Sequence, residues 1–322
     1  MKQLSIWAIL GIWALLSLAG ISFGIWQGSS GRAFVFTAIA AALLLLLMLV
    51  FAARGVAEKF AGRVGSGGGL LIGVAIFLLY LLNIFGTGTF ALGRIGIMAA
   101  FLFVPLALSS QRSPSASWQD FLTIAAVWTF VKFGPSHYLW PYPGGRIAYI
   151  STVLVAVNLA IATFLLARQV KGIGYSIGWG KNWSIYVAGS FLAFGIIAIP
   201  LGLSMHFIAF APQWGKWSSF LGLSIAILVF TAWPEELLFR GLLQNLLARS
   251  SKSDIAGWWT SSVFFGLSHI TNGAFPNWRY VFLATIAGLF YAWTWRRTNS
   301  IFASALVHAA VDVAWHFLFR TL

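Results

Sequence analysis

AFVFTAIAAALLLLLMLVFAA, residues 33–53, contains no charge, no proline and no turn signal. At about 1.5 Å of rise per residue, a helix of this length crosses the ~30 Å hydrocarbon core of a bilayer. Ten more apolar runs flank it, at about 4–26, 69–86, 95–109, 119–134, 147–167, 182–204, 218–247, 255–270, 279–295 and 300–319. In hydrocarbon the backbone must satisfy its own hydrogen bonds, so these runs predict an all-α, polytopic transmembrane helical bundle of about 8–11 spans. They are too long for the alternating strands of an outer-membrane barrel.

Composition agrees. Of 322 residues, 60% are hydrophobic, 17% aromatic and only 8% charged. Soluble domains carry roughly 25% charged residues, so this chain lacks the charge to cover a water-facing globule of its size. The net charge of +14 comes from 20 Lys and Arg against 6 Asp and Glu. Those cations are scattered singly between apolar runs, with no polybasic stripe, which argues for loop anchors and against a nucleic-acid partner. With no cysteine, disulfides, thiolate ligands and Cys nucleophiles are excluded. The run from Leu4 to Trp26 exceeds a signal-peptide core and is read as a retained first span.

A cytoplasmic N-terminus would place Lys2, Arg54, Lys59, Arg63, Arg112, Arg168, Lys171, Lys181, Arg249, Lys252, Arg296 and Arg297 inside. It leaves Arg32, Arg94, Lys132, Arg146, Lys216, Arg279 and Arg320 outside, and the excess supports that orientation. Two stretches read as joints: the glycine-rich tract Gly65 to Gly69, expected to be flexible, and the Gly-, Trp- and Lys-rich segment from Arg168 to Trp183, expected at headgroup level. The second divides the chain into an N-terminal transmembrane helical region, 1–170, and a C-terminal membrane module, 171–322.

The six acids are Glu58, Asp120, Glu235, Glu236, Asp254 and Asp312. Glu58 and Asp254 fall in basic loops and Asp120 at a span edge, where water is expected to solvate them. The other three interrupt apolar runs, where an ionised side chain costs at least about 2.5–3.5 kcal/mol and needs a partner or a task. In Trp233-Pro234-Glu235-Glu236, proline has no N–H to continue a helix, so a new segment is expected to start there, with both carboxylates at its positive end. Glu236 and Arg240, four apart, face one another as a structural pair. Glu235 points about 100° away and is available for proton transfer. His269 closes Phe265-Gly266-Leu267-Ser268-His269, and His308 and Asp312 share one face of the last run, with His316 a further turn along. Each element alone has a plainer reading, a packing histidine or a structural ion pair. His137 and His206 read as solvated or interfacial. Ser268 and Ser304 lack the context of a serine nucleophile.

Glu-Glu-x-x-x-Arg, then Phe-x-x-x-His, then His-x-x-x-Asp, on successive membrane helices, resembles the CPBP family of type II CAAX prenyl proteases and bacteriocin-processing or immunity proteins, also called the Abi family. The resemblance covers about 217–318 and implies an intramembrane endopeptidase. It implies that Glu235 and His269 activate a water, that His308 with Asp312 stabilises the oxyanion, and that Glu236 and Arg240 support them. Asp312 departs from the Asn of the CAAX-processing members, which weakens the inference to prenylated substrates. No cofactor is required by this scheme. A divalent ion such as Zn²⁺ on Glu235, His269 and His308 is the alternative, although no His-Glu-x-x-His helix is present. The implied partners are membrane lipid and a membrane-associated or lipidated peptide, in the cell membrane, as of a bacterial inner membrane. Two other classes remain. A proton-coupled carrier would spread polar residues through many spans, and a non-catalytic immunity or scaffold protein would tolerate loss of Glu235.

Overall fold

An apolar run in lipid becomes a helix because nothing but its own carbonyls can take its amide protons. The structure, a computed structural model, describes residues 2–109 and 116–322. Arg112, assigned above to an internal loop, lies outside the described residues. The principal helices are α1 (Ile6–Trp26), α2 (Gly31–Val50), α3 (Val56–Gly86), α4 (Leu92–Leu108), α5 (Trp118–Phe133), α6 (Gly145–Ala167), α7 (Trp183–Ser204), α8 (Trp214–Ser251), α9 (Asp254–Leu267), α10 (Trp278–Thr298) and α11 (Ile301–Leu318). Each overlaps one of the apolar runs. Seven of them, α1, α2, α3, α6, α7, α8 and α11, are long and apolar enough to cross a membrane. At about 1.5 Å per residue, α4, α5 and α9 fall short of a ~30 Å core. α10 has the length but carries Arg279, Arg296 and Arg297 at its ends. The chain is an all-α polytopic bundle, and side chains such as Trp7, Leu15, Ile185 and Ile196 stand exposed on it, as a lipid-facing surface requires.

The described chain forms two compact units, residues 3–171 and residues 172–322 with Lys2. In the first, polar side chains are consumed inside the bundle. Asn83 donates to Thr37 at 3.1 Å, and Asn158 donates to the Leu44 carbonyl at 2.9 Å. Asp120 is fully buried rather than solvated. It accepts from the Ser117 amide and holds Arg168 at 2.6 and 2.9 Å, a bidentate pair that replaces the water expected at a span edge. The glycine tract is structured: Gly65 turns the chain at φ +66°, one tighter turn spans Gly65–Gly67, and the helix resumes at Gly68. Gly69 is where α3 meets α6: a Cβ there would lie 2.6 Å from the Ala162 carbonyl oxygen, so glycine serves close approach rather than freedom.

In the second unit, the segment before α7 is docked rather than merely interfacial. Ile173, Tyr175 and Ile177 are buried. The Ile173 carbonyl accepts from Trp295 Nε1 at 3.0 Å, and the Gly174 carbonyl accepts from the Ile301 amide at 2.9 Å. Gly174 sits at φ +74°, where a Cβ would also strike the Asn299 carbonyl. Burial pushes the Tyr175 phenol above its usual range. Beyond the helices, β1 (Ile208–Phe210) pairs antiparallel with β2 (Phe319–Thr321), tying the end of α7 to the end of α11.

The main correction concerns α8. Pro234 does not restart the helix, because 214–251 is continuously helical. The winding changes instead, from π-helical over Leu228–Ala232 to α over Trp233–Glu236 and back to π over Leu237–Gln244. A π turn is wider and bonds i to i+5, which relieves the clash between a proline ring and the carbonyl four residues before it. Glu235 and Glu236 therefore have no exposed helix N-terminus behind them. Their charges must be balanced by side chains.

Candidate active site

Three helices of the second unit carry the intramembrane ionisable groups, and local sequence explains where two of them begin. Ser253 caps α9, accepting from the Ala256 amide at 3.2 Å, and Ser300 caps α11, accepting from the Ala303 amide at 3.2 Å. The helix that Ser300 starts carries His308 and Asp312 one turn apart, with His308 against the α turn of α8 that bears Glu235 and Glu236.

Glu236 is the buried centre of the arrangement, with no exposed surface. Its Oε1 accepts from His308 Nδ1 at 3.0 Å. Its Oε2 lies 2.5 Å from the Ser304 hydroxyl, which also reaches the Tyr291 carbonyl at 2.8 Å as a bifurcated donor. Arg240 Nε is 3.1 Å from the same Oε2, near enough for an ion pair although poorly aligned for a hydrogen bond. The rest of the guanidinium lies among aromatic faces, 4.6 Å from the Phe265 ring centroid, 5.7 Å from that of Tyr291 and 5.9 Å from that of Phe239. Rings offer a cation their negative faces, so the charge is met by one carboxylate and three π systems.

His308 is held on all sides. Its ring stacks on Tyr291 at 4.6 Å and meets Phe265 edge-on at 5.5 Å. A carboxylate paired with Arg240 can only accept, so Nδ1 carries the proton given to Glu236. Nε2 faces two further carboxylates, Asp312 at 3.5 Å and Glu235 at 3.8 Å. Both contacts are longer than a hydrogen bond to a carboxylate usually is, so Nε2 is the loosely committed end of the ring. Exposure is graded the same way: the Glu236 side chain is 0% exposed, Glu235 31% and Asp312 37%. The cluster is sealed behind Glu236 and open beside Glu235 and Asp312.

His269, just beyond α9, approaches through an aromatic wall. Its ring lies 4.8 Å from Phe265 and 4.9 Å from Tyr280. Nδ1 is 2.8 Å from the Phe265 carbonyl, which can only accept, so Nδ1 bears the hydrogen and Nε2 keeps its lone pair. Phe265 touches both imidazoles and Arg240, which makes it the common spacer of the site.

Other titratable groups stand apart. His137, His206 and His316 are exposed, so His316 does not extend the His308–Asp312 stripe. Glu58 is exposed, and Asp254 is an exposed partner of Arg296 at 3.5 Å. Among the described residues, no three His, Asp or Glu side chains are grouped so as to hold a metal ion. Sequence reasoning dismissed Ser304 as a nucleophile and missed its bond to Glu236. The signal was present, since Ser304, His308 and Asp312 repeat every fourth residue along one helix face. Tyr291 gave no such signal.

Residues 217–314 match the family model described as type II CAAX prenyl endopeptidase Rce1-like. No curated protein and no solved structure matches the chain. The matched stretch contains α8 from its second turn, all of α9 and α10, and α11 through Ala314. It supports a CAAX-type membrane endopeptidase in general terms for that part of the chain.

Proposed function

We propose that the protein is an intramembrane endopeptidase whose water is activated by Glu235 with His269, and whose oxyanion is stabilised by His308 held by Glu236 and Asp312. The observation that carries this reading is the His308 ring. Its Nδ1 is fixed on a buried carboxylate, while Nε2 stands 3.5 and 3.8 Å from two accessible ones. With Nδ1–H committed, donation from Nε2 needs the doubly protonated ring, and Asp312 and Glu235 supply the counter-charge for it. Nε2–H can then turn to a developing oxyanion without breaking a tight contact. A pre-aimed donor of this kind lowers an acyl-transfer barrier by about 3–4 kcal/mol in a dry site.

Glu235 is the partly accessible member of the adjacent pair, which suits a general base that must meet both water and substrate. The lone pair on His269 Nε2 suits a second proton acceptor. In this scheme a proton leaves the water for Glu235, the water oxygen bonds to the scissile carbonyl carbon, and that proton passes to the departing amine as the C–N bond breaks. We propose that no metal takes part, and that the carboxylates and imidazoles move the protons themselves. The substrate class this reading favours is a membrane-bound lipidated peptide, taken from the description of the matching family. The site belongs at a multi-pass protein of the cell membrane, in contact with lipid.

The test is cleavage of a prenylated CAAX peptide in detergent by the purified protein, with Glu235→Ala and His308→Ala alongside, each with and without a chelator. Loss of cleavage in both variants, with the chelator inert, is the expected result. Full cleavage by Glu235→Ala would defeat the proposal, and chelator-sensitive cleavage would defeat its metal-free form.

A further inference from the structure

At one end of the C-terminal unit α8 stops near Ser251, α9 starts at Asp254 and α10 finishes with Arg296 and Arg297. Between these ends lies a cavity of about 380 Å³ whose lining includes Gln244, Asp254, Trp293, Arg296, Arg297 and Asn299. No lining residue belongs to the acid–imidazole cluster. The volume is within the ordinary range of small-ligand sites.

Three features of the lining bear on what it would hold. Its charge is positive: Arg296 is offset by Asp254 at 3.5 Å, whereas Arg297 meets no carboxylate among the described residues and lies flat on Trp293, 4.0 Å from the ring centroid. The excess of one positive charge matches a singly charged anion. Next, Gln244 is 1% exposed, with Nε2 directed at the Ala292 carbonyl, 3.5 Å away, and Oε1 lacking any hydrogen bond. A buried amide oxygen without a donor is costly, and Gln244 is a lining residue, so turning its amide into the cavity would let Oε1 accept from a ligand that donates. Last, Ile255, Trp259 and Val263 are exposed along one face of α9, starting beside Asp254. Their spacing of four makes an apolar stripe along one face of α9, beginning one residue past Asp254 of the cavity lining.

We propose that this cavity binds the headgroup of a membrane phospholipid. The phosphodiester lies on Arg297 and Arg296, a headgroup hydroxyl or ammonium donates to Gln244 Oε1, and an acyl chain follows the Ile255–Trp259–Val263 stripe. Guanidinium groups suit phosphate because their paired N–H donors match two of its oxygens. Basic pockets between transmembrane helices are recurrent headgroup sites, and tryptophan favours the same depth. The apolar stripe is what favours a lipid over a soluble phosphate ester.

The experiment uses the delipidated full-length protein in detergent, with native mass spectrometry as the binding readout. The probes are phosphatidylglycerol, diacylglycerol, which lacks the phosphate, and glycerol phosphate, which lacks the chains. Wild type is compared with Arg296→Ala/Arg297→Ala and with Arg320→Ala, at the opposite end of α11. The expected result is that phosphatidylglycerol binds wild type and Arg320→Ala alike, and binds the double variant at least about tenfold more weakly. Diacylglycerol and glycerol phosphate both bind poorly. Arg297→Ala alone, a change to an exposed side chain, shifts binding in the same direction and covers the case in which the double variant fails to fold. Unchanged lipid affinity in the arginine variants overturns the proposal. Equal binding of diacylglycerol overturns phosphate recognition, and equal binding of glycerol phosphate overturns the lipid as its source.

Discussion

Replacing Arg240 by Met would leave Glu236 ionised in a pocket with no exposed surface, holding only the His308 and Ser304 donors. Breaking a buried ion pair from one side costs about 3–5 kcal/mol, because the remaining charge has lost both water and its counter-ion. The aromatic faces of Phe265, Tyr291 and Phe239 lose a cation as well, although methionine keeps much of the packing. For a unit of this size, each kcal/mol moves the midpoint by about 2–4 °C, so thermal unfolding in detergent, followed by tryptophan fluorescence, should fall by about 6–20 °C. Glu236→Gln strands Arg240 among the rings and should cost a comparable amount. The double variant Glu236→Gln/Arg240→Met removes both charges together. Exchanging a whole buried pair for uncharged groups is often nearly neutral, so it should be more stable than either single variant. If the two costs simply add, or if Arg240→Met loses less than about 1 kcal/mol, the pair is not what holds Glu236, and the electrostatic account of the site fails.

Asp312→Asn keeps a polar group 3.5 Å from His308 Nε2 but removes its charge. Since a partly exposed ion pair is worth up to about 1 kcal/mol, kcat on a cleavable peptide should fall by up to roughly fivefold with KM little changed, and an unchanged kcat would rule out a counter-ion role. Ser304→Ala deletes a donor 2.5 Å from Glu236 Oε2 and should destabilise by about 1.5–3 kcal/mol in the same unfolding assay, whereas a neutral effect would mean that His308 and Arg240 suffice. Gly69→Ala forces a methyl to within 2.6 Å of the Ala162 carbonyl and should cost about 1–3 kcal/mol; a variant as stable as wild type would show that α3 and α6 can separate at no cost.

The helices were legible in the sequence because span length is set by bilayer thickness, and uninterrupted apolar runs record it directly. Contacts four residues apart were legible for the same kind of reason. Helical periodicity alone puts Glu236 against Arg240 and His308 against Asp312, and both pairs are in contact at 3.1 and 3.5 Å. What escaped depends on partners distant in the chain. Asp120 looked solvated because Arg168 is 48 residues away, and no local pattern links them. The bond from His308 to Glu236 spans 72 residues, so the sequence could nominate both groups but not join them. Pro234 misled for a different reason. Proline punishes an ordinary helix, but neighbours packed around α8 can favour a wider winding that avoids the penalty, and the one-letter code does not record winding.

The two widened turns of α8 have a consequence for how this chain tolerates insertion and deletion. A π turn amounts to an α-helix with one residue inserted, so α8 holds surplus length on either side of the single ordinary turn that bears the carboxylates. Removing one residue from Leu228–Ala232 would not pull the rest of α8 out of step with α9 and α11. It would tighten that turn and bring the Pro234 ring against the carbonyl behind it, while Glu235, Glu236 and Arg240, all beyond the deletion, kept their register to His308. A shortened chain of that kind would insert with its carboxylates still facing His308, and would carry the cost of the deletion at the proline alone.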